Sequence, residues 1–367
     1  MTEAETNEII DRIARRFEIV QRRLMQIIGV RIGQIADGLD VSDKEYIDVK
    51  TVQDLYDRAI KYSDKDVNTL LMTHGRDTFA DNKAVLQQAG VSVAAWDRSL
   101  EYLSAQAKAR EVFEKYRAIA SSTAISDTYK SAIDTAVKKF ADMKLNPAEI
   151  VRKNDFLTVM HGTITELGNA GLSKVEYLSG RKIRIDSAVR QALRDGTTYV
   201  AQSVLDAIGT ETGADGVEIS AHENCAPDHA PYQGRQYTLE EYKQLQASLR
   251  RPIGMYNCRH LAYPVKLGES ERAYSEEDLK KYAEENKDGV NWNGRHYTGY
   301  EATQYQRRIE TAIRDLKSAR DIAQKANDSA KYMQTVERIR TLETEYRQFS
   351  KKANLVNKLP SRTWLIM

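Results

Sequence analysis

Apolar residues return at intervals of three and four along most of this 367-residue chain, and the rhythm fails outright in one place. Near the start, Ile10, Ile13, Phe17, Val20, Leu24 and Ile27 step by 3, 4, 3, 4 and 3. On a helix these positions make one narrow stripe, a heptad seam that another helix has to cover. The seam runs for under three heptads, so its partner is expected within the same chain. One long helix is read over residues 4–38, with Gly38 suited to a left-handed cap. Breakers are scarce, at 19 Gly and 6 Pro. That is well below average usage and favours long helices over sheets and loops.

The rhythm continues downstream. Ser42-Asp43-Lys44-Glu45 reads as a capping-box start. Leu55, Ala59 and Tyr62 give one face, and Asp81-Asn82 and Gly90-Val91-Ser92 read as breaks. Trp96, Leu100, Leu103, Ala107, Val112, Phe113 and Tyr116 resume the stripe, and Tyr129 to Met143 makes a further helix. Pro147 marks a boundary, followed by a helix from about Asp155 to Ala170. Asp186 or Ser187 caps a helix running to about Ile208. Gly209 to Gly216 reads as a polar loop, and Gly216 to Ser220 alternates as a strand does. After Pro264, residues 268–289 are polar and acidic, and Trp292-Asn293-Gly294-Arg295 is a turn. Two helical stretches occupy Tyr300 to Lys352, with Asn327-Asp328-Ser329 between them. The expected fold is mainly α, with long helical N- and C-terminal arms around a small irregular α+β core with few short strands. The expected division is 1–145, an N-terminal helical region; 146–268, the core; and 269–367, a polar turn region with a C-terminal helical arm.

The break itself is Ile219-Ser220-Ala221-His222-Glu223-Asn224-Cys225-Ala226-Pro227-Asp228-His229-Ala230-Pro231-Tyr232-Gln233-Gly234-Arg235, echoed by Tyr256-Asn257-Cys258-Arg259-His260. Both cysteines and three of the six histidines lie here. His222-x2-Cys225-x3-His229 is followed 29 residues on by Cys258-x-His260. Zinc takes thiolate and imidazole ligands, usually four in a tetrahedron. His222, Cys225, His229, Cys258 and His260 are five candidates for a structural zinc site, although no standard paired C-x2-C finger spacing is present. The other readings of the same residues are a hydrogen-bonded, packed loop with Cys258 as a small hydrophobe, and a cysteine nucleophile with a nearby histidine and Asp228. No nucleophile elbow or phosphate loop accompanies them. His74 stands alone and reads as structural.

Two cysteines do not make a disulfide scaffold. The first fifteen residues are polar and acidic, unlike a signal peptide, and no apolar run approaches the roughly 20 residues that span a bilayer. A reducing cytoplasm is the expected compartment, which argues against a Cys225–Cys258 disulfide. Net charge is only +2, so no global attraction to nucleic acid or membrane is expected. Over 301–367, however, Lys and Arg outnumber Asp and Glu. Binding of DNA through this arm would weaken steeply with salt.

Ser220-Ala221-His222, the run from Pro227 to Tyr237 and Tyr256-Asn257-Cys258-Arg259-His260 resemble the signature of phage minor capsid proteins of the "minor capsid protein 2" type, within the wider phage head-morphogenesis proteins. Tyr177 to Arg181, the helix from Ser187, the stretch from Tyr300 to Arg307 and Tyr346 to Ser350 are similar too, so the resemblance covers roughly 150–352. The family often carries Gly-x-Arg where this chain has Asn224-Cys225-Ala226, so the resemblance favours His222, His229, Cys258 and His260 over Cys225. It implies a low-copy structural component of a tailed-phage head, present in several copies. The implied partners are portal protein, major capsid protein and packaged DNA, with no membrane. The implied location is the virion, after assembly in the host cytoplasm. Some relatives carry a toxin or transferase domain, so a zinc- or cysteine-dependent hydrolase or transferase is the alternative.

Overall fold

A computed structural model describes residues 3–36, 49–88, 174–176 and 182–359. Helices dominate. They are α1 (Glu3–Ala36), α2 (Val49–Asp81), α3 (Lys83–Gln88), α4 (Ile185–Thr212), α5 (Leu239–Ser248), α6 (Glu276–Asp288), α7 (Gly299–Lys325) and α8 (Ser329–Lys352). The strands are short: β1 (Lys174–Glu176), β2 (Lys182–Arg184), β3 (Gly216–Ile219), β4 (Gln236–Thr238), β5 (Ala262–Val265), β6 (Val290–Trp292) and β7 (Arg295–Tyr297). All pairing is antiparallel: β1 with β2, β6 with β7, and a three-stranded sheet in the order β4-β3-β5. This is the mainly α architecture with a small α+β region that the sequence leads one to expect.

The chain divides into two compact units that interleave in sequence. The described part of the first is 3–13, 63–88 and 189–304; that of the second is 14–36, 49–62, 174–176, 182–188 and 305–359. In the first unit, Ile10, Ile13, Val67, Leu70, Leu71, Val189, Leu193, Leu205 and Ile208 are buried. Polar ties join the same helices: Arg190 Nε donates to Asp11 at 2.9 Å, and Thr6 and His74 meet at 3.0 Å. His74 thus fills the structural place expected of it.

In the second unit, Phe17, Val20, Ile313, Ile339, Tyr346 and Phe349 are buried. The start of the heptad seam is therefore covered as expected; the side chains of Leu24 and Ile27 lie outside the described residues. So do the capping box at Ser42 and every element read between Gly90 and Ala170. Tyr62 departs from expectation. The periodicity puts it on one face with Ala59, but Ala59 is 5% exposed and Tyr62 71%.

The second unit holds a cavity of about 280 Å³, lined among others by Arg22, Arg184, Arg314 and Lys317. Burial pushes the Lys317 ammonium down to about 8, partly offset by Glu343 at 3.9 Å, while Arg320 adds to the fall and Glu18 and Asp321 oppose it. An unfolded lysine titrates near 10.4, so between about pH 8 and 10 the unfolded chain binds the extra proton. Stability is then expected to rise with pH across that window, by on the order of 2 kcal/mol from this group. Comparing thermal midpoints of wild type and Lys317→Met between pH 8 and 10 checks this; the variant is expected to lose the rise.

Turn chemistry places the remaining boundaries. Asn293 and Gly294, both with positive φ (48° and 77°), close the β6–β7 hairpin where Asn-Gly is expected. Asn327 (φ 55°) ends α7, and the Asp328 side chain caps α8 by accepting from Lys331 N at 2.9 Å. The loop expected from Gly209 to Gly216 is shorter: residues 209–212 form the last turn of α4, where Gly209 packs close to the Pro264 side chain, and residues 213–215 lead irregularly into β3. Asp186 is likewise inside α4 rather than its cap, with its carboxylate turned to Arg184 and Arg314. Two helices were not expected. Both α5 and α6 open with reciprocal capping boxes, Thr238 with Glu241 and Ser275 with Asp278.

Candidate functional site

The break in the helical rhythm folds as two loops hung on the three-stranded sheet of the first unit. β3 is the middle strand, and all four of its residues are buried. Even Glu218 is accommodated, because its carboxylate accepts from Gln236 Nε2 and Ala273 N, both at 2.9 Å. The first loop leaves β3 at Ser220 and returns at Arg235. Gly234, with φ 66°, donates its N–H to Ile219 O at 2.7 Å and closes it. The second loop follows α5 and enters β5 at Ala262. The Gln202 side chain on α4 pairs with both backbone groups of Ala262 at 2.9 Å. Ser220 N donates to Leu261 O at 2.8 Å, and Leu261 N donates to Ser220 Oγ at 2.9 Å, so the start of the first loop lies beside the end of the second.

The five expected residues come together. Cys225, His229, Cys258 and His260 are 4%, 1%, 3% and 2% exposed, and His222 is half-buried beside them. Cys258 Sγ lies 3.2 Å from His229 Nδ1 and 3.2 Å from His260 Nδ1. Cys225 Sγ lies 3.6 Å from His260 Nε2. The His222 ring stacks on that of His260 with centroids 4.5 Å apart. Both thiols are free, so no disulfide joins them. The ligand atoms of His229, Cys258 and His260 lie within 4.8 Å of one another, as do those of His222, Cys225 and His260.

Residues outside the expected five fix the orientation of the rings. His229 Nε2 meets Arg251 O at 2.6 Å. A carbonyl only accepts, so Nε2 carries the proton and the bare Nδ1 faces Cys258. Gln233 Oε1 accepts from His222 N at 3.1 Å and lies 3.2 Å from His260 Nε2, which leaves His260 Nδ1 bare toward the same thiol. Arg251 also grips Asp228 with two hydrogen bonds of 2.9 and 2.7 Å, locking the two loops together. Burial opposes ionisation of Asp228, but the Arg251 guanidinium outweighs it and holds the carboxyl below its ordinary value. Gln233 and Arg251 were not singled out from the sequence. Gln233 sits inside the motif, whereas nothing near Arg251 marks it.

The loop before Cys258 is strained and pinned. Tyr256 and Asn257 both have positive φ, 56° and 61°. Asparagine tolerates this conformation and tyrosine does not. Asp195 on α4 holds both, accepting from Tyr256 N at 3.1 Å and Asn257 N at 2.7 Å. Asp195→Ala removes both acceptors and is expected to cost about 1–2 kcal/mol, since two donors lose their partner and the strained turn its support. Chemical denaturation of the two proteins side by side checks this; an unchanged midpoint contradicts it.

The cluster is electrostatically quiet. Burial, with Cys258 adding, pushes the Cys225 thiol up to about 12, and burial raises Cys258 as well. Burial, then the His222 and His229 rings, push His260 down to about 3. A nucleophilic cysteine needs the opposite environment, one that lowers its pKa.

The sequence profile of the family described as "Phage minor capsid protein 2" matches residues 3–351, nearly the whole chain. The chain belongs to that family. Membership gives it a structural role in a phage capsid. No curated protein and no solved structure matches the chain. Among the described residues, no helix is long and apolar enough to cross a membrane.

Proposed function

We propose that this minor capsid protein is a low-copy component of a tailed-phage head, assembled in the host cytoplasm, that binds portal protein and major capsid protein. The observation that carries this reading is the family match over residues 3–351. On this reading the long helices are the docking elements, and the loops around the His/Cys cluster are a rigid hub. The chain acts by binding rather than by catalysis. In support, both cysteines are buried with raised pKa values, the reverse of an activated nucleophile. The excess of Lys and Arg over 301–367 lets the C-terminal helices contact packaged DNA as a salt-sensitive secondary interaction.

Co-expression of the full chain with the portal and major capsid proteins of the same phage, followed by size-exclusion chromatography, tests the partners. Co-elution with either protein is expected. Elution of the chain alone from both mixtures overturns the reading.

A further inference from the structure

We propose that the His/Cys cluster is a zinc site, with His229 Nδ1, Cys258 Sγ and His260 Nδ1 as its preformed face and Cys225 as its fourth ligand. The inference goes beyond the capsid role, and its test needs no phage particle.

Composition comes first. Of the five candidates, the four that are buried are two cysteines and two histidines. Cys₂His₂ is a standard structural zinc set. Two thiolates also neutralise the ion's charge, so the site can be buried without leaving a net charge in a dry interior. His222 is left out on the same grounds. It is only half-buried, and its Nδ1 lies 2.8 Å from Glu223 O, a bond within its own turn.

Geometry comes second. Ligands around one tetrahedral zinc sit at 2.0–2.3 Å from it, which places neighbouring ligand atoms roughly 3.3–3.8 Å apart. The two contacts of Cys258 Sγ, at 3.2 Å each, are close to that spacing already. Cys225 Sγ, 3.6 Å from the other nitrogen of His260, has to move in to complete the set.

The surroundings come third. Metal-bound histidines commonly donate their second N–H to a carbonyl, amide or carboxylate, which fixes the ring and its tautomer. His229 has Arg251 O at 2.6 Å and His260 has Gln233 Oε1 at 3.2 Å. Both partners leave the bare nitrogen facing Cys258. Binding releases one proton from each thiol as its Zn–S bond forms, so the protein loses two protons for each ion taken up. The ion ties loop 220–235 to loop 249–261, which otherwise hold together through Arg251, Gln233 and Ser220.

Full-length protein purified without added metal or chelator is assayed for zinc by elemental mass spectrometry and then loaded with cobalt(II). One zinc per chain is expected, together with a tetrahedral cobalt spectrum whose near-ultraviolet thiolate band has two-thiolate intensity. Cys258→Ser is expected to abolish the band, Cys225→Ser to halve it, and His222→Ala to leave it unchanged. Chelation of wild type is expected to lower its thermal midpoint. Wild-type protein that holds no zinc and gives no cobalt spectrum overturns the site, and this arm needs no variant to fold. Loss of the spectrum in His222→Ala, or an unchanged band in Cys225→Ser, overturns the ligand set.

Discussion

Asp186→Ala is expected to destabilise the protein by about 3–5 kcal/mol, because it breaks a buried ion network while leaving the cations behind. Asp186 is fully buried. Its Oδ1 accepts from Arg184 Nε at 3.2 Å and its Oδ2 from Arg314 Nη1 at 2.7 Å. Arg184 and Arg314 are themselves 7% and 9% exposed. Arg184 retains Asp315 at 2.9 Å and Gln21 Oε1 at 3.2 Å, so it is partly compensated in the variant. Arg314 keeps the hydroxyls of Ser187 and Thr311 at 3.3 and 3.4 Å, neither of which carries a charge, and it bears most of the loss. Asp186→Asn keeps one acceptor and is expected to fall between the two. Denaturant unfolding followed by circular dichroism measures the series. A loss under about 1 kcal/mol in the alanine variant, the size of an ordinary surface change, contradicts the account.

Gly29→Val is expected to cost about 3 kcal/mol or more, at the upper end of overpacking penalties. A Cβ at Gly29 would lie 2.4 Å from Ile322 O and 2.6 Å from Lys325 Cβ, so α1 and α7 touch backbone to backbone there. A backbone carbonyl has no rotamer to escape into, so the helices must separate. Replacing glycine in a helix interior returns less than about 1 kcal/mol of propensity when the new residue is valine, which does not offset the clash. Gly33 provides the control. Its added Cβ would meet Ala326 Cα at 3.2 Å, a fit that a few tenths of an ångström can relieve. Gly33→Ala is therefore expected to be nearly neutral, and equal losses at the two positions contradict the close crossing at Gly29.

These two sites show where sequence reading stops. The seam through Ile10, Ile13, Phe17 and Val20 is legible because helical burial imposes a period on the chain itself. The turns at Asn293-Gly294 and Asn327-Asp328 are legible because positive φ and capping demand particular residues. The cluster stands out because histidine and cysteine are rare and concentrated. Its supports do not, because they depend on long-range contact. Arg251 meets Asp228 across 23 positions, Asp195 meets Asn257 across 62, and Gln202 meets Ala262 across 60. Arg184, Asp186 and Arg314 look like ordinary charges in an ordinary helical sequence. Periodicity passes over α5 and α6 for a different reason: neither contains a buried residue, so neither has an apolar stripe. Their capping boxes were the available signal. Gly29 reads as a tolerated helix glycine until α7 is placed against it.

The most direct test of the minor capsid reading is the composition of the particle. Gradient-purified, DNA-filled phage encoding this chain can be analysed by mass spectrometry with quantitation against portal protein. The account predicts the chain in the particle, at a stoichiometry near or below that of portal. Its absence from filled particles, with the protein recovered only from the host cytoplasm, would contradict a structural place in the head.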